Sequence, residues 1–318
     1  MELSFAPMEG VTYCHYRRLH ARLFPGADCY YAPFIAPDGK GNFKTGNLRD
    51  ILPENNDGLR LIPQILCNAS GPFLAVAREL EALGYGEVNL NVGCPSGTVT
   101  AKHKGAGMLR DPASLDRCLE EIFSSCPLRV SIKTRMGFLS TAEFPQILRI
   151  YTRYPLSALI VHARDRAGMY RSAPDLDAFA SAVEACPFPL VYNGNLFRPE
   201  DASALSARFP TLSGFMIGRG AVANPALFRQ LRGGPAITAG ELRHFHDALM
   251  DACLEAGLAP QHAAARMKEL WFYMLSLFPG SERAGKNILR SRSLPDYQSA
   301  VDALFGACEL DPSAAFAG

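Results

Sequence analysis

The sequence predicts an α/β protein: a closed parallel (β/α)8 barrel followed by a small helical region. Three observations predict it. Eight short apolar runs of strand length alternate with amphipathic stretches of helical period over about the first 235 residues. Proline recurs at helix starts, at Pro72, Pro112, Pro199 and Pro225, where its missing N–H is not needed. From about Ala236 the strand pattern stops and only helical patterns remain. A doubly wound open sheet usually has fewer strands and a GxGxxG turn after its first strand, and no such turn is present.

The strands are expected at Leu3 to Met8, Cys29 to Ile35, Leu61 to Leu66 and Val88 to Val92, then at Arg129 to Thr134, Ala158 to His162, Leu190 to Asn193 and Gly214 to Gly218. Helices are expected over Pro72 to Leu83, Pro112 to Ser124, Ala142 to Tyr154, Leu176 to Ala185, Pro199 to Ala207 and Pro225 to Leu231. The tail reads as helices from Glu241 to Glu255, Gln261 to Phe278 and Asp296 to Leu304. Leu270, Phe272, Tyr273 and Leu277 stand at helical spacing and are expected to core a small bundle. The expected division is a catalytic barrel over residues 1–235 and a helical domain over 236–318.

Composition narrows the function classes. A net charge of +1 gives no global basic field, so any polyanion site must be a local patch. Nine cysteines without a CxxC pair argue against a disulfide framework or a zinc module. A reducing cytoplasm is the expected home, since MELSFAPMEG has no basic segment followed by a long apolar one. No uncharged run approaches a membrane span, and the chain is expected to act as a monomer away from membranes. No metal site is expected: there is no HExxH or Walker pattern and no acidic pair spaced for a metal.

Barrel chemistry sits at the C-terminal ends of the strands. Ala6-Pro7-Met8 follows the first strand, Gln64 lies in the third, and Asn91 and Cys94 close the fourth. Lys133 and Arg135 end the fifth, and His162 and Arg164 the sixth. Asn193-Gly194-Asn195 follows the seventh and Gly218-Arg219-Gly220 the eighth, leading into a helix expected at about Asn224. Each has an ordinary reading on its own. A lone Cys after a strand is usually an apolar filler, His162 suits a satisfied core histidine, and Lys133 can snorkel from a barrel end. Polar residues at the same end of most strands are harder to dismiss, because a barrel core is mostly branched and apolar. Glycines after the last two strands, with Arg219 beside them, suit a phosphate, and Lys133, His162, Gln64 and Met8 suit a planar heterocycle.

The tail adds a second candidate. From Glu241 on it carries seven Lys/Arg against ten Asp/Glu. Yet Arg283, Lys286, Arg290 and Arg292 lie together without an acid among them. Such a run is either a solvated face or a phosphate-contact strip.

The motifs APMEGVT, PQI, NLNVGCPSGTV with GAGML, SIKTR, the VHAR histidine, NGN and GFMIGRGAVANPALF resemble, in order, those of the tRNA-dihydrouridine synthase family. The resemblance covers nearly the whole barrel, and the helical tail matches in kind. It implies an FMN-binding TIM barrel with a C-terminal helical domain that grips tRNA. It further implies that NADPH reduces the FMN, whose N5 then delivers hydride to C6 of a uridine. Carried across, Pro7 and Met8 line the flavin, and Gln64, Lys133 and His162 hydrogen-bond its ring or ribityl chain. Asn193, Gly194, Asn195, Gly218 and Arg219 hold the phosphate end. Cys94 protonates C5 of the uracil and Asn91 helps hold the base. Lys102, Lys104, Arg135, Arg164 and Arg166 are candidates for RNA phosphates around the mouth.

A thiol suits the acid role, since its usual pKa leaves it protonated at neutral pH. The sequence departs from the pattern at Pro33, where many members carry Glu, at Asp165 and Ala167 in a usually Thr-rich run, and at Leu176 in place of a common Trp. These positions bear on which uridine is read. Two other readings compete. One is an FMN barrel enzyme acting on a free pyrimidine, resembling dihydroorotate or dihydropyrimidine dehydrogenases, against which the helical tail and its basic strip argue. The other is a silent RNA-binding protein, against which the intact Cys94, Lys133 and His162 argue.

Overall fold

The computed structural model describes all residues except 39, 44 and 318. Nine parallel strands run β1 Glu2–Phe5, β2 Cys29–Tyr31, β3 Leu61–Ile62, β4 Gln64–Ile65, β5 Glu87–Val92, β6 Arg129–Arg135, β7 Leu159–His162, β8 Leu190–Asn193 and β9 Gly214–Ile217. The hydrogen-bonded order is β3-β2-β1-β9-β8-β7-β6-β5-β4. The two ends of that order are one stretch of chain. Pro63 has no N–H to donate and splits the expected third strand into β3 and β4. Its carbonyl still accepts the N–H of Asn89 at 2.9 Å, so the circuit closes. The result is the expected barrel of eight strand positions.

The strands are shorter than the apolar runs that predict them. The first ends at Phe5 rather than Met8 and the second at Tyr31 rather than Ile35, where Pro7 and Pro33 stop ladder pairing. Ile35 retains one isolated bridge to Ile65.

Helices cover the outside: α1 Cys14–Leu23, α2 Thr45–Ile51, α3 Ser70–Ala82, α4 Gly97–Thr100, α5 Pro112–Ser125, α6 Phe144–Tyr151, α7 Leu176–Ala185, α8 Pro199–Arg208, α9 Arg219–Ala223 and α10 Leu227–Leu231. Of these, α1, α2 and α4 are not among the sequence expectations. Helix α1 follows TYCHYRRLHARL, whose charges mask its buried stripe of Cys14, Tyr16, Leu19 and His20. A buried cation fastens it. Arg17 donates to the Thr12 and Asp50 carbonyls at 2.6 Å each, to Asn56 Oδ1 at 2.8 Å and to Asp50 Oδ2 at 3.1 Å. Burying that guanidinium is tolerable because its donors are met.

The tail forms α11 Ala239–Glu255, α12 Pro260–Met274, α13 Glu282–Arg290 and α14 Leu294–Ala307. Thr238 and Glu241 form a reciprocal capping box at the start of α11. The tail shares its core with the barrel. Phe245 packs edge-on against Tyr16 and Phe24 at 5.4 and 5.5 Å, and Glu241 pairs with Arg229 at 2.7 Å. Within the tail, buried Trp271 donates its indole N–H to Tyr297 Oη at 2.8 Å, and His246 Nε2 meets the same oxygen at 2.6 Å. Leu270 and Leu277 are buried as expected, whereas Phe272 is exposed. Among the described residues no helix is long and apolar enough to cross a membrane, and all nine cysteines are free.

Candidate active site

Parallel strands put all their C-terminal ends on one face, and side chains at paired positions stand on the same side of the sheet. The register therefore assembles the site. Asn91 pairs with Lys133, Arg135 with His162, His162 with Asn193, and Asn193 with Met216. At this end lies a cavity of about 290 Å³. Its lining includes Pro7, Met8, Gln64, Asn91, Cys94, Lys133, Arg135, His162, Asn193, Gly194, Gly218 and Arg219. Thus twelve of the predicted site residues meet in one cavity. Asn195 stands behind it.

A chain of amides forms one wall. Asn91 Oδ1 accepts the N–H groups of Gly93 and Cys94 at 3.0 and 2.9 Å. Asn91 Nδ2 donates to Gln64 Oε1 at 2.8 Å, Gln64 Nε2 to Asn89 Oδ1 at 2.7 Å, and Asn89 Nδ2 to Ser131 Oγ at 2.9 Å. Such a linked series fixes each amide's orientation. It also changes the reading of Asn91. Asn91, expected to help hold a base, commits its carbonyl to the loop that carries the thiol. Burial pushes the Cys94 thiol above its usual pKa, against the opposite pull of Arg135 and Lys133. The thiol is protonated at neutral pH and is suited to give a proton rather than to attack.

The facing wall is cationic. Lys133 is partly open to the cavity, yet the depth of the site leaves its ammonium poorly solvated. Burial, reinforced by Arg135, brings its pKa down to about 7. Its Nζ donates to Asn193 Oδ1 at 2.7 Å, and Asn193 Nδ2 donates to the Met216 carbonyl at 2.8 Å. Burial first, then Arg135, Lys133, Arg164 and Arg219, hold His162 well below the usual imidazole pKa, so it is neutral. Arg164 Nη1 lies 2.9 Å from His162 Nε2. A guanidinium only donates, so Nε2 accepts and the proton sits on Nδ1.

Arg135 and Arg164, expected as candidates for phosphates around the mouth, are each 1 % exposed. Arg135 donates to the carbonyls of Gly93, Asp165 and Met169. Arg164 donates to the Ser172 carbonyl and to Asn195 Oδ1. They are long chains whose forks find main-chain oxygens inside the loops and so organise the rim. Lys102 is exposed, and Lys104 reaches the Pro37 carbonyl at 3.2 Å. Arg166 lies over Phe138 at 5.1 Å and donates to Thr100 Oγ1. Arg283, Lys286 and Arg290 are exposed on α13, with Arg292 just beyond it, and none of the four is among the cavity-lining residues.

At the β8 and β9 ends the glycines are needed for close packing. A Cβ on Gly194 would lie 2.2 Å from Tyr192 Oη, and one on Gly220 2.0 Å from the Leu196 carbonyl. The helix expected near Asn224 opens earlier: α9 begins at Arg219 and Asn224 is its C-terminal cap. Asn195 Oδ1 accepts from both Arg164 and Arg219, at 2.9 and 3.0 Å.

Four aromatic lining residues were missed by sequence reasoning: Phe34, Tyr170, Phe197 and Tyr273. Tyr170 stacks under Arg219 at 4.5 Å and Arg135 at 5.3 Å. It sits in an irregular loop, and Tyr273 reaches in from α12, where helical spacing marked it only as core. No local pattern signals either.

Two features test what this cavity suits. Among the described residues, Arg135 Nη2 is buried without a hydrogen-bond partner, a costly state in the absence of a ligand oxygen. The cations Lys133, Arg135, Arg164 and Arg219 crowd one neutral imidazole. Both fit a flat, anionic, phosphate-bearing heterocycle such as FMN.

A family model described as dihydrouridine synthase matches residues 4–259. The chain is 29% identical over 255 residues to tRNA-dihydrouridine synthase B of Pseudomonas putida, covering 78% of this chain and 74% of that one. It is 29% identical over 231 residues to a probable tRNA-dihydrouridine synthase of Rhodobacter capsulatus, covering 71% and 69%. Among solved structures, morphinone reductase in complex with tetrahydroNAD superposes with a TM-score of 0.53 at 12% identity, over 74% of this chain and 88% of that one. The old yellow enzyme of Trypanosoma cruzi gives 0.51 at 8%, over 73% and 88%. At such identities these two attest the barrel fold alone.

Proposed function

Because this chain belongs to the dihydrouridine synthase family, we propose that it reduces the C5–C6 double bond of uridines in tRNA, with FMN as its cofactor and NADPH as reductant. The observation that carries the reading is the pairing, in one cavity, of a protonated thiol after β5 with the cations Lys133, Arg135 and Arg219 at the ends of β6 and β9. Bound there and reduced, FMN supplies the hydride to C6 of the uracil.

The chain's own residues supply the rest. Pro7 and Met8 give an apolar face for a flat ring. Lys133 and Gln64 donate to its polar edge, with neutral His162 available through its Nδ1–H. Arg219, Asn193, Asn195, Gly194 and Gly218 surround the phosphate end. Cys94 gives its proton to C5, and the resulting thiolate is steadied by Arg135 and Lys133. Asn91 acts mainly by holding the Cys94 main chain.

A uracil inside folded RNA must leave its stack to reach such a cavity. The exposed Arg283, Lys286, Arg290 and Arg292 suit backbone phosphates, which fix position without reading sequence. Lys102, Lys104 and Arg166 are closer candidates around the mouth. This supports a catalytic barrel over 1–235 with a tRNA-gripping helical region over 236–318. The test is to incubate an unmodified tRNA transcript with the FMN-loaded protein and NADPH, then weigh its nucleosides. A uridine gaining two hydrogens is the expected result; a transcript unchanged in mass would overturn the reading.

A further inference from the structure

Arg219 is held by more than the barrel. After α14 the chain doubles back: the Asp311 N–H donates to the Leu277 carbonyl at 2.8 Å, and Asp311 Oδ1 accepts from Ser313 N at 2.8 Å. This turn delivers Phe316 to the rim. Its ring lies 5.2 Å from Tyr273, 5.8 Å from Phe272 and 5.9 Å from Phe197. The Arg219 guanidinium carbon stands 4.5 Å from the Tyr170 ring, 5.5 Å from Phe197 and 5.9 Å from Phe316. Three rings from three separate segments therefore surround one cation, while Asn195 Oδ1 takes one of its N–H groups at 3.0 Å.

A guanidinium resting on aromatic faces keeps its in-plane N–H donors free for an anion at its edge. The rings also limit the rotamers of a long side chain. Phe316 lies beyond residue 259, where the family match ends. It supplies its wall from outside the matched barrel.

We propose that Phe316 is a positioning residue for Arg219: the C-terminal segment completes an aromatic box that aims the guanidinium at the phosphate of the bound cofactor. The proposal rests on the FMN reading above. It makes recognition of the phosphate, and not of the flavin ring, depend on the segment after α14.

The experiment titrates the apoprotein with FMN and with riboflavin, which lacks the phosphate, following quenching of flavin fluorescence. Phe316→Ala is expected to lower the preference for FMN over riboflavin by roughly three- to tenfold, with riboflavin affinity unchanged. Phe316→Tyr is expected to keep the preference. Phe316→Leu retains bulk without a π face and is expected to behave like the alanine variant; it carries the test if Phe316→Ala does not fold. An unchanged preference in Phe316→Ala or Phe316→Leu, alongside a collapsed one in Arg219→Ala, would overturn the role of Phe316 and leave the FMN reading standing. Equal weakening of both ligands would also overturn it, as the mark of a merely structural residue. If Arg219→Ala leaves the preference intact, the placement of the phosphate itself fails and the proposal falls with it.

Discussion

Asn91 Oδ1 accepts the main-chain N–H of Cys94 at 2.9 Å. The residue near the end of a buried strand thus anchors the backbone of the thiol that follows it, and Gln64 anchors Asn91 in turn at 2.8 Å. A proton donor must be aimed as well as protonated, and this series aims it.

Removing the thiol should therefore stop proton transfer and little else. Cys94→Ala is expected to lower dihydrouridine formation by about 10²- to 10⁴-fold, while NADPH still bleaches the flavin at the normal rate. Asn91→Ala, which frees the loop but keeps the thiol, is expected to cost about 10- to 100-fold. Because burial raises the Cys94 pKa, the wild-type rate is expected to stay level through neutral pH and to fall only above the usual cysteine range. Single-turnover rates of reduced enzyme with tRNA transcript check all three.

Lys133 gives the cofactor site its own pH dependence. Its pKa in the free protein is about 7. Below that pH the ammonium is present and can donate to an electron-rich ring edge. As pH rises through 7 the free protein loses that proton, so a ligand preferring the charged form must bind one. Riboflavin affinity is expected to fall from pH 7 upward, by at most about tenfold per pH unit. Using riboflavin removes the phosphate's own ionisation. In Lys133→Met the dependence is expected to vanish, and a retained slope would contradict the assignment.

The basic strip on α13 should act uniformly on RNA. Reversing the charge of Arg283, Lys286, Arg290 and Arg292 is expected to weaken tRNA binding. The slope of log affinity against log salt should drop by about 0.7–0.9 for each phosphate that is no longer neutralised. Flavin content should not change, since these side chains are exposed, on α13 and just beyond it, and none is among the cavity-lining residues. Unchanged affinity would make the strip a solvated face.

Tyr297 carries the buried polar junction of the tail. Tyr297→Phe leaves the Trp271 indole N–H and His246 Nε2 without their shared oxygen. It is expected to cost about 1–3 kcal/mol per orphaned group, read as a lower urea midpoint of the apoprotein. Trp271 is fully buried beside it, so indole fluorescence reports the same change.

The barrel was legible because period-2 and period-3.6 patterns with first-turn prolines survive in local sequence. The strand ends were legible too, and with them Cys94, Lys133, His162 and Arg219, since a parallel barrel places them together whatever the loops do. What did not show was partnership across the loops. Arg135 and Arg164 were legible as cations at the mouth, and only the fold shows the main-chain carbonyls that they meet. Asn91 was legible as a polar residue facing the site, but not its hold on the Cys94 main chain. Tyr170 and Phe316 lie in irregular segments with no period to read, so nothing local marks their place around Arg219. The short α1 pattern failed differently: its basic residues hid a buried face that Arg17 itself helps to pin.

The central claim is that one cavity serves a flavin and a tRNA uracil together. It is tested most directly by the visible spectrum of the purified protein, held anaerobically, reduced with NADPH, and then offered unmodified tRNA transcript or, separately, orotate. The expected result is a flavin spectrum that bleaches with NADPH and returns with tRNA alone. Return with orotate, or no flavin spectrum even after adding FMN, would contradict it.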